Sequence, residues 1–223
     1  GISSTKLIRL SAMIRSRRPV LSASTPPNGT ATAKTNMKRL VIDPAAEFGD
    51  TGNDAVRRFT DDGGRLLVLA EPTTRTISGG LFSASITSQP SAVTTLTSQY
   101  GMSVSTDYLY NQARNDGNYK RVVVESAPNS TLSDVRQGVV YTSASVSVVN
   151  GRRVLIAAPG TRTGGTSATS PRKTVAVRKG NVLLFGDSSF LTERYHTAGD
   201  NERTLAYVVE FLIGGEKTDS RAG

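Results

Sequence analysis

"NDAVRRFTDDGGRLLVLAEP", residues 53–72, is the stretch on which the fold reading turns. Ala55, Val56 and Phe59 form one stripe at helical spacing, Asn53 stands where an N-cap belongs, and Gly63-Gly64 stops the helix. "RLLVLA" follows at once as an unbroken apolar run, the pattern of a strand buried on both faces. Upstream, "RLVIDP" (39–44) is a second such run, closed by Asp43-Pro44. Strand, helix, strand with tight punctuation is a βαβ unit, whose strands are parallel and whose crossover is right-handed. From that unit the expectation is an α/β domain with a mostly parallel sheet between helices.

The rest of the chain is read outward from there. "SSTKLIRLSAMIRSRR" (3–18) has helical spacing, "PVLSAS" (19–24) is a short strand, and "TPPNGTATAKTN" (25–36) is a loop. "SAVTTLTSQYGM" (91–102) reads as a helix with Gly101 beyond its end. "SVSTDYLY" (103–110) and "YKRVVVE" (119–125) read as strands, and "STLSDVRQG" (130–138) as one helical turn. Later the style changes to hairpins. Asn150-Gly151 joins 139–149 to 152–159, and Lys179-Gly180 joins 173–178 to 181–187. The last element, 201–215, carries Leu205, Val208, Val209 and Leu212 on one face, and Gly214-Gly215 ends it. The reading is one domain over 1–215 and a flexible tail over 216–223.

Composition excludes several chemistries. The 223 residues contain no cysteine, which removes disulfides, thiolate metal sites and cysteine nucleophiles. A single histidine removes any multi-histidine metal centre. The formal charge of +9 is scattered in pairs: Arg57 and Arg58, Lys120 and Arg121, Arg152 and Arg153, Arg172 and Lys173, besides Arg15, Arg17 and Arg18. No basic tail is dense enough, and no aromatic interleaving regular enough, to call for a specific nucleic acid. No stretch approaches the roughly 20 apolar residues of a membrane helix. Asn28 and Asn129 each open an Asn-x-Thr glycosylation pattern, which matters only in an exported chain.

"GNVLLFGDSSFLTERYHTAGDN", residues 180–201, is the stretch that bears on catalysis. Ser188 or Ser189 as nucleophile, His196 as base and Asp187 or Asp200 as orienting carboxylate would supply the residue types of a serine hydrolase. The Gly-x-Ser-x-Gly elbow is absent, and nucleophile and base would share one short loop. The simpler reading gives Asp187 an Asx-type turn, Ser188 or Ser189 a helix cap, and Asp200 or Asn201 the cap of the last helix. A third reading is a non-catalytic binding site. Asp43, Glu71 and Asp187 each end an apolar strand, and ligands of open α/β sheets bind beyond the carboxyl ends of strands. Three carboxylates at one rim is a set that a divalent cation accepts, but each also simply begins a loop. No metal or cofactor is expected.

Three strings together resemble a known family: "FTDDGGRLLVLAEP", "LTSQYGMSVSTDYLYN" and "GNVLLFGDSSFLTE" followed by "VVEFLIGG". They are similar to segments of glutamine-amidotransferase-like domains, and most closely to domain of unknown function 4350. That family is related to non-catalytic domains of gliding-motility-type ABC-transporter auxiliary proteins and of an intraflagellar-transport subunit. The resemblance implies a flavodoxin-like three-layer α/β sandwich, mostly parallel with late antiparallel hairpins. It also implies no amidotransferase chemistry, because the turn that holds the catalytic cysteine of the relatives reads Glu71-Pro72-Thr73-Thr74 here. Members of that family are often membrane-anchored, so a membrane-associated assembly is implied, with any anchor outside this chain, which begins at Gly1. The expected function is non-catalytic binding of a partner protein or ligand, with Asp43, Glu71, Asp187, Ser188, Ser189 and Asn201 as the binding candidates. The alternative is the serine hydrolase.

Overall fold

The computed structural model describes residues 39–42, 47–72, 74–80, 83–89, 91–164 and 172–213. The expected helix at 3–18, the strand at 19–24, the loop at 25–36, Asp43, Asn28 and the tail at 216–223 lie outside them.

The βαβ unit is present. Strand β1 (Arg39–Ile42) leads to helix α1 (Asp50–Asp61), and β2 (Arg65–Leu69) runs parallel to β1. Helix α1 starts three residues earlier than its sequence cap. Gly49 is the N-cap, and Asn53 lies inside the helix, buried, donating from its amide to the Phe48 carbonyl at 3.1 Å. Gly63 adopts φ +86, the left-handed conformation that ends the helix before β2.

Beyond this unit the expected mostly parallel, flavodoxin-like sandwich is overturned. The next elements are a hairpin of β3 (Thr74–Gly80) and β4 (Ser83–Gln89), which the sequence reading does not anticipate, and a short helix α2 (Thr94–Ser98). They are followed by β5 (Met102–Tyr110), β6 (Arg121–Ser126), β7 (Gly138–Tyr141), β8 (Ala144–Val148), β9 (Arg152–Ala157) and β10 (Arg162–Thr163). The described chain closes with β11 (Thr174–Lys179), β12 (Val182–Phe185) and helix α3 (Asn201–Ile213). The main sheet has seven strands in the order β1-β2-β12-β11-β9-β6-β7. Only β1, β2 and β12 are parallel; every later pairing is antiparallel. A parallel pair needs a crossover of a dozen or more residues, usually a helix. Between β5 and β12 the described connections carry no helix, so the strands return beside one another in opposite directions. The molecule is mostly β.

A second, antiparallel sheet of β10, β5 and β8 lies on one face of the main sheet. It shares a core with α1 and α2 that includes Val56, Leu66, Leu96, Met102, Val146 and Val177. On the other face α3 packs Leu205, Val208, Phe211 and Leu212 against Leu67, Leu155 and Phe185. Burying each such side chain contributes about 1.5–3 kcal/mol.

The hairpin expected around Lys179-Gly180 forms, but its two-residue turn is Gly180-Asn181, one residue later, because Lys179 still pairs with Val182. The Asn150-Gly151 hairpin does not: Asn150 takes the expected positive φ of 54, but β8 pairs with β5, while β9 pairs with β11 and β6. The run 139–149 is broken at Thr142, a β-branched residue held at φ 55, where the chain leaves the edge of the main sheet and enters the second one. Val146 thereby packs over Val177 instead of lying edge-on beside it. Residues 130–138 form no helical turn.

Candidate functional site

Strand β12 delivers the Gly-Asp-Ser-Ser turn to the carboxyl end of the parallel strands. Gly186 passes so close to β8 that a Cβ there would sit 2.2 Å from the Ala144 carbonyl oxygen. The Ala144 N–H donates to the Gly186 carbonyl at 2.7 Å. Asp187 follows, completely buried. Its Oδ1 accepts the Ser189 N–H at 2.9 Å, the Asx turn expected from the sequence. Its Oδ2 accepts the Ser189 hydroxyl at 2.6 Å and the Tyr141 N–H at 3.1 Å. Burial pushes the Asp187 carboxyl up to about 6, against the donors from Ser189, Tyr141 and Ser188, which favour the ionised form.

Glu71, just past β2, reaches the same turn. Its Oε1 accepts both the Ser188 N–H at 3.0 Å and the Ser188 hydroxyl at 2.7 Å. Each serine thus gives its one hydroxyl hydrogen to a carboxylate. Neither caps the 3₁₀ turn Ser189–Leu191, which corrects the expected serine cap. His196 places Nδ1 2.8 Å from the Glu193 carbonyl oxygen, where a protonated Nδ1 donates. Among the described residues no hydrogen bond joins His196 to either serine.

Asn201 and Asp200 turn away from α3 and act on β7, the edge strand of the main sheet. Buried Asn201 accepts the Val139 N–H at 2.9 Å and donates to the carbonyls of Val139 and Tyr195, both at 2.8 Å. Its amide imitates the backbone of a further strand. Asp200 Oδ2 accepts the N–H groups of Arg136 and Gln137, each at 2.8 Å. Those two N–H groups, with lesser help from the Arg203 and Arg136 charges, hold its carboxyl below the usual range. At the helix start only the Asp200 carbonyl serves, accepting from Arg203 and Thr204. The expected side-chain cap is replaced by protection of a sheet edge, whose open N–H groups would otherwise invite another strand.

The structure therefore brings Glu71, Asp187, Ser188 and Ser189 into one network, with Asn201 at the neighbouring edge of β7. Asp43 lies outside the described residues. Among the described residues no group of three or more acidic or histidine side chains is arranged to hold a metal ion. No described helix is long and apolar enough to cross a membrane, and nothing in the described residues supports the expected membrane-associated assembly.

Rings and cations that are separate in the sequence meet at this end of the fold. Tyr141 stacks on Tyr195 with centroids 5.6 Å apart, and the Arg121 and Arg194 guanidinium groups each lie 5.4 Å from the Tyr195 ring. The Lys120 ammonium lies 4.7 Å from the Tyr108 ring and 5.8 Å from the Tyr119 ring. Sequence reasoning missed these groups, because Tyr141 and Tyr195 meet only through the β7 edge and the loop after β12.

Comparison with known proteins places the fold and goes no further. No family model matches the chain, and no curated protein matches it. Among solved structures, the mmIFT52 N-terminal domain is similar with a TM-score of 0.60 and 15% identity, over 80% of this chain and 78% of that one. Alpha-L-fucosidase isoenzyme 2 from Paenibacillus thiaminolyticus aligns with a TM-score of 0.45 and 12% identity, over 80% of this chain and 25% of that one. These neighbours do not bear on domain of unknown function 4350 or on glutamine amidotransferases. The first of them establishes an architecture shared with the mmIFT52 N-terminal domain.

Proposed function

We propose that this chain is a non-catalytic domain that binds a partner protein. The observation that carries the reading is the commitment of both serine hydroxyls: Ser188 donates to Glu71 and Ser189 to Asp187, with His196 engaged by the Glu193 carbonyl. A serine nucleophile requires its hydroxyl hydrogen to face a base and its oxygen to face a pair of oxyanion donors. Here the carboxylates use those hydrogens to lock a turn.

A protein occupant is favoured by the surface chemistry around that turn. Tyr119 and Tyr141 are 46% and 38% exposed, and each lies against another ring. Tyrosine and arginine are the residue types that concentrate binding energy in protein interfaces.

The test is turnover. Purified protein is incubated with a panel of activated carboxylic and phosphate esters, alongside Ser188→Ala and Ser189→Ala. The expected result is the same background rate for all three. A turnover that either substitution abolishes overturns the reading.

A further inference from the structure

We infer that the opposite end of the main sheet, where Arg65, Arg152 and Arg178 gather on the α3 face, docks an acidic segment of a partner protein. The inference rests on the partner-protein reading and gives that partner a chemistry.

Strand register assembles this cluster from distant parts of the sequence. Arg178 of β11 stands directly opposite Arg152 of β9, and Lys179 opposite Val182, which in turn pairs with Leu66, next to Arg65. A cross-strand Arg–Arg pair therefore falls at that end of the sheet. Like charges placed directly opposite are destabilising. Among the described residues, Arg65, Arg152, Arg178 and Lys179 enter no ion pair; Asp61, nearby at the end of α1, pairs with Arg57.

Two of the cations are held in place. Arg65 and Arg178 flank the buried Phe211 ring, with guanidinium carbons 5.6 and 5.0 Å from its centroid. Arg65 also donates to the Phe211 carbonyl, and Arg178 Nε donates to the Gly180 carbonyl at 3.0 Å. Lys179, the next residue, sends its Nζ to the opposite face, where it donates to the Tyr100 carbonyl at 3.0 Å. Arg152 is exposed and shares the α3 face with Arg178, its register partner. Arg152, Arg178 and Lys179 line an open depression of about 430 Å³ between the tips of two turns, floored by Gly151 and Gly180. From β2 to β9 the cations span three strand spacings, about 14 Å. An open, preorganised row of that length, with no carboxylate partner among the described residues, suits an extended acidic peptide. Single-stranded nucleic acid is disfavoured, because the aromatic rings at this face, Phe211 and Tyr207, are 3% and 8% exposed and offer no platform for bases.

Fluorescence anisotropy of a labelled polyglutamate peptide against the full chain tests the proposal. Arg152→Glu and Arg153→Glu change the net charge equally. Arg153 pairs with Val177, which packs in the α1 cluster, so its side chain leaves from the opposite face. The expected result is salt-sensitive binding that weakens about tenfold or more in Arg152→Glu and less than about threefold in Arg153→Glu. Absence of binding, equal losses in the two variants, or tighter capture of an oligothymidylate through Arg152 overturns it. Ester turnover and peptide binding fail independently, so the two proposals are separable.

Discussion

Replacing Asn201 by alanine removes the group that closes the outer edge of β7. The side chain makes three hydrogen bonds, to the Val139 N–H and to the carbonyls of Val139 and Tyr195, all at 2.8–2.9 Å and all shielded from water. Each buried backbone group left without a partner costs about 1–3 kcal/mol. Water entering the cavity restores part of that, so Asn201→Ala is expected to cost about 3–5 kcal/mol. A domain of ordinary stability has about 5–15 kcal/mol in total, so the loss is large but measurable. Asn201→Asp isolates the cause, because it keeps shape and volume while turning the Nδ2 donor into an oxygen aimed at two carbonyls. At pH 8 this carboxylate is ionised against like partial charges, and Asn201→Asp is expected to be less stable than Asn201→Ala. On acidification it gains a proton and a donor, and part of the loss returns. Urea unfolding followed by far-UV circular dichroism at pH 5 and pH 8 measures both effects. The reasoning is refuted by an Asn201→Ala loss under about 1 kcal/mol, or by an Asn201→Asp deficit that does not change with pH.

Asp187 has a pKa of about 6 in the folded state, above its unfolded value, so the folded protein holds that proton longer. Its contribution is full below about pH 4 and is lost as pH rises through 6, a decline of about 3 kcal/mol at 1.36 kcal/mol per pKa unit. Asp187→Asn should lack this slope between pH 4 and 7 in urea melts; identical slopes in both proteins would dismiss the assignment. Asp200, held low, acts in the other direction and loses its contribution only as pH falls below the usual carboxylate range, outside that window. Gly186→Ala must push a Cβ into the Ala144 carbonyl, 2.2 Å away, and is expected to lower the melting temperature by several degrees through separation of β8 from β12. An unchanged melting temperature would show that the close approach is not required.

Local pattern was a sound guide where neighbours in sequence make the structure. The stripe of Val56 and Phe59, the Gly63 stop, the runs at 65–69 and 182–185, the pairing of β11 with β12 as a hairpin and the Leu205 to Leu212 face of α3 were all legible from periodicity and turn chemistry. So was the Asx turn at Asp187, because its donor lies two residues away. Strand partners were not legible in this way. β8 has the same alternating pattern whether it turns back on β9 or packs as a second layer over β11, and the strained Thr142 decides the second only in the folded chain.

The same limit governs the site. That Asp200 and Asn201 would be used to satisfy backbone is inherent in their chemistry as short polar side chains at an element end. Which backbone they satisfy depends on β7, some sixty residues earlier, which had to become a sheet edge before Asn201 could serve it. The sequence by itself determined the composition limits, with no cysteine chemistry and a basic charge, and those elements whose periodicity is strong, α1, β2, β12 and α3. Only the tertiary structure decided the mixed, mostly antiparallel sheet, the direction of each serine hydroxyl and the row of cations. Those features depend on strand register between distant segments, and one chain's periodicity does not carry register.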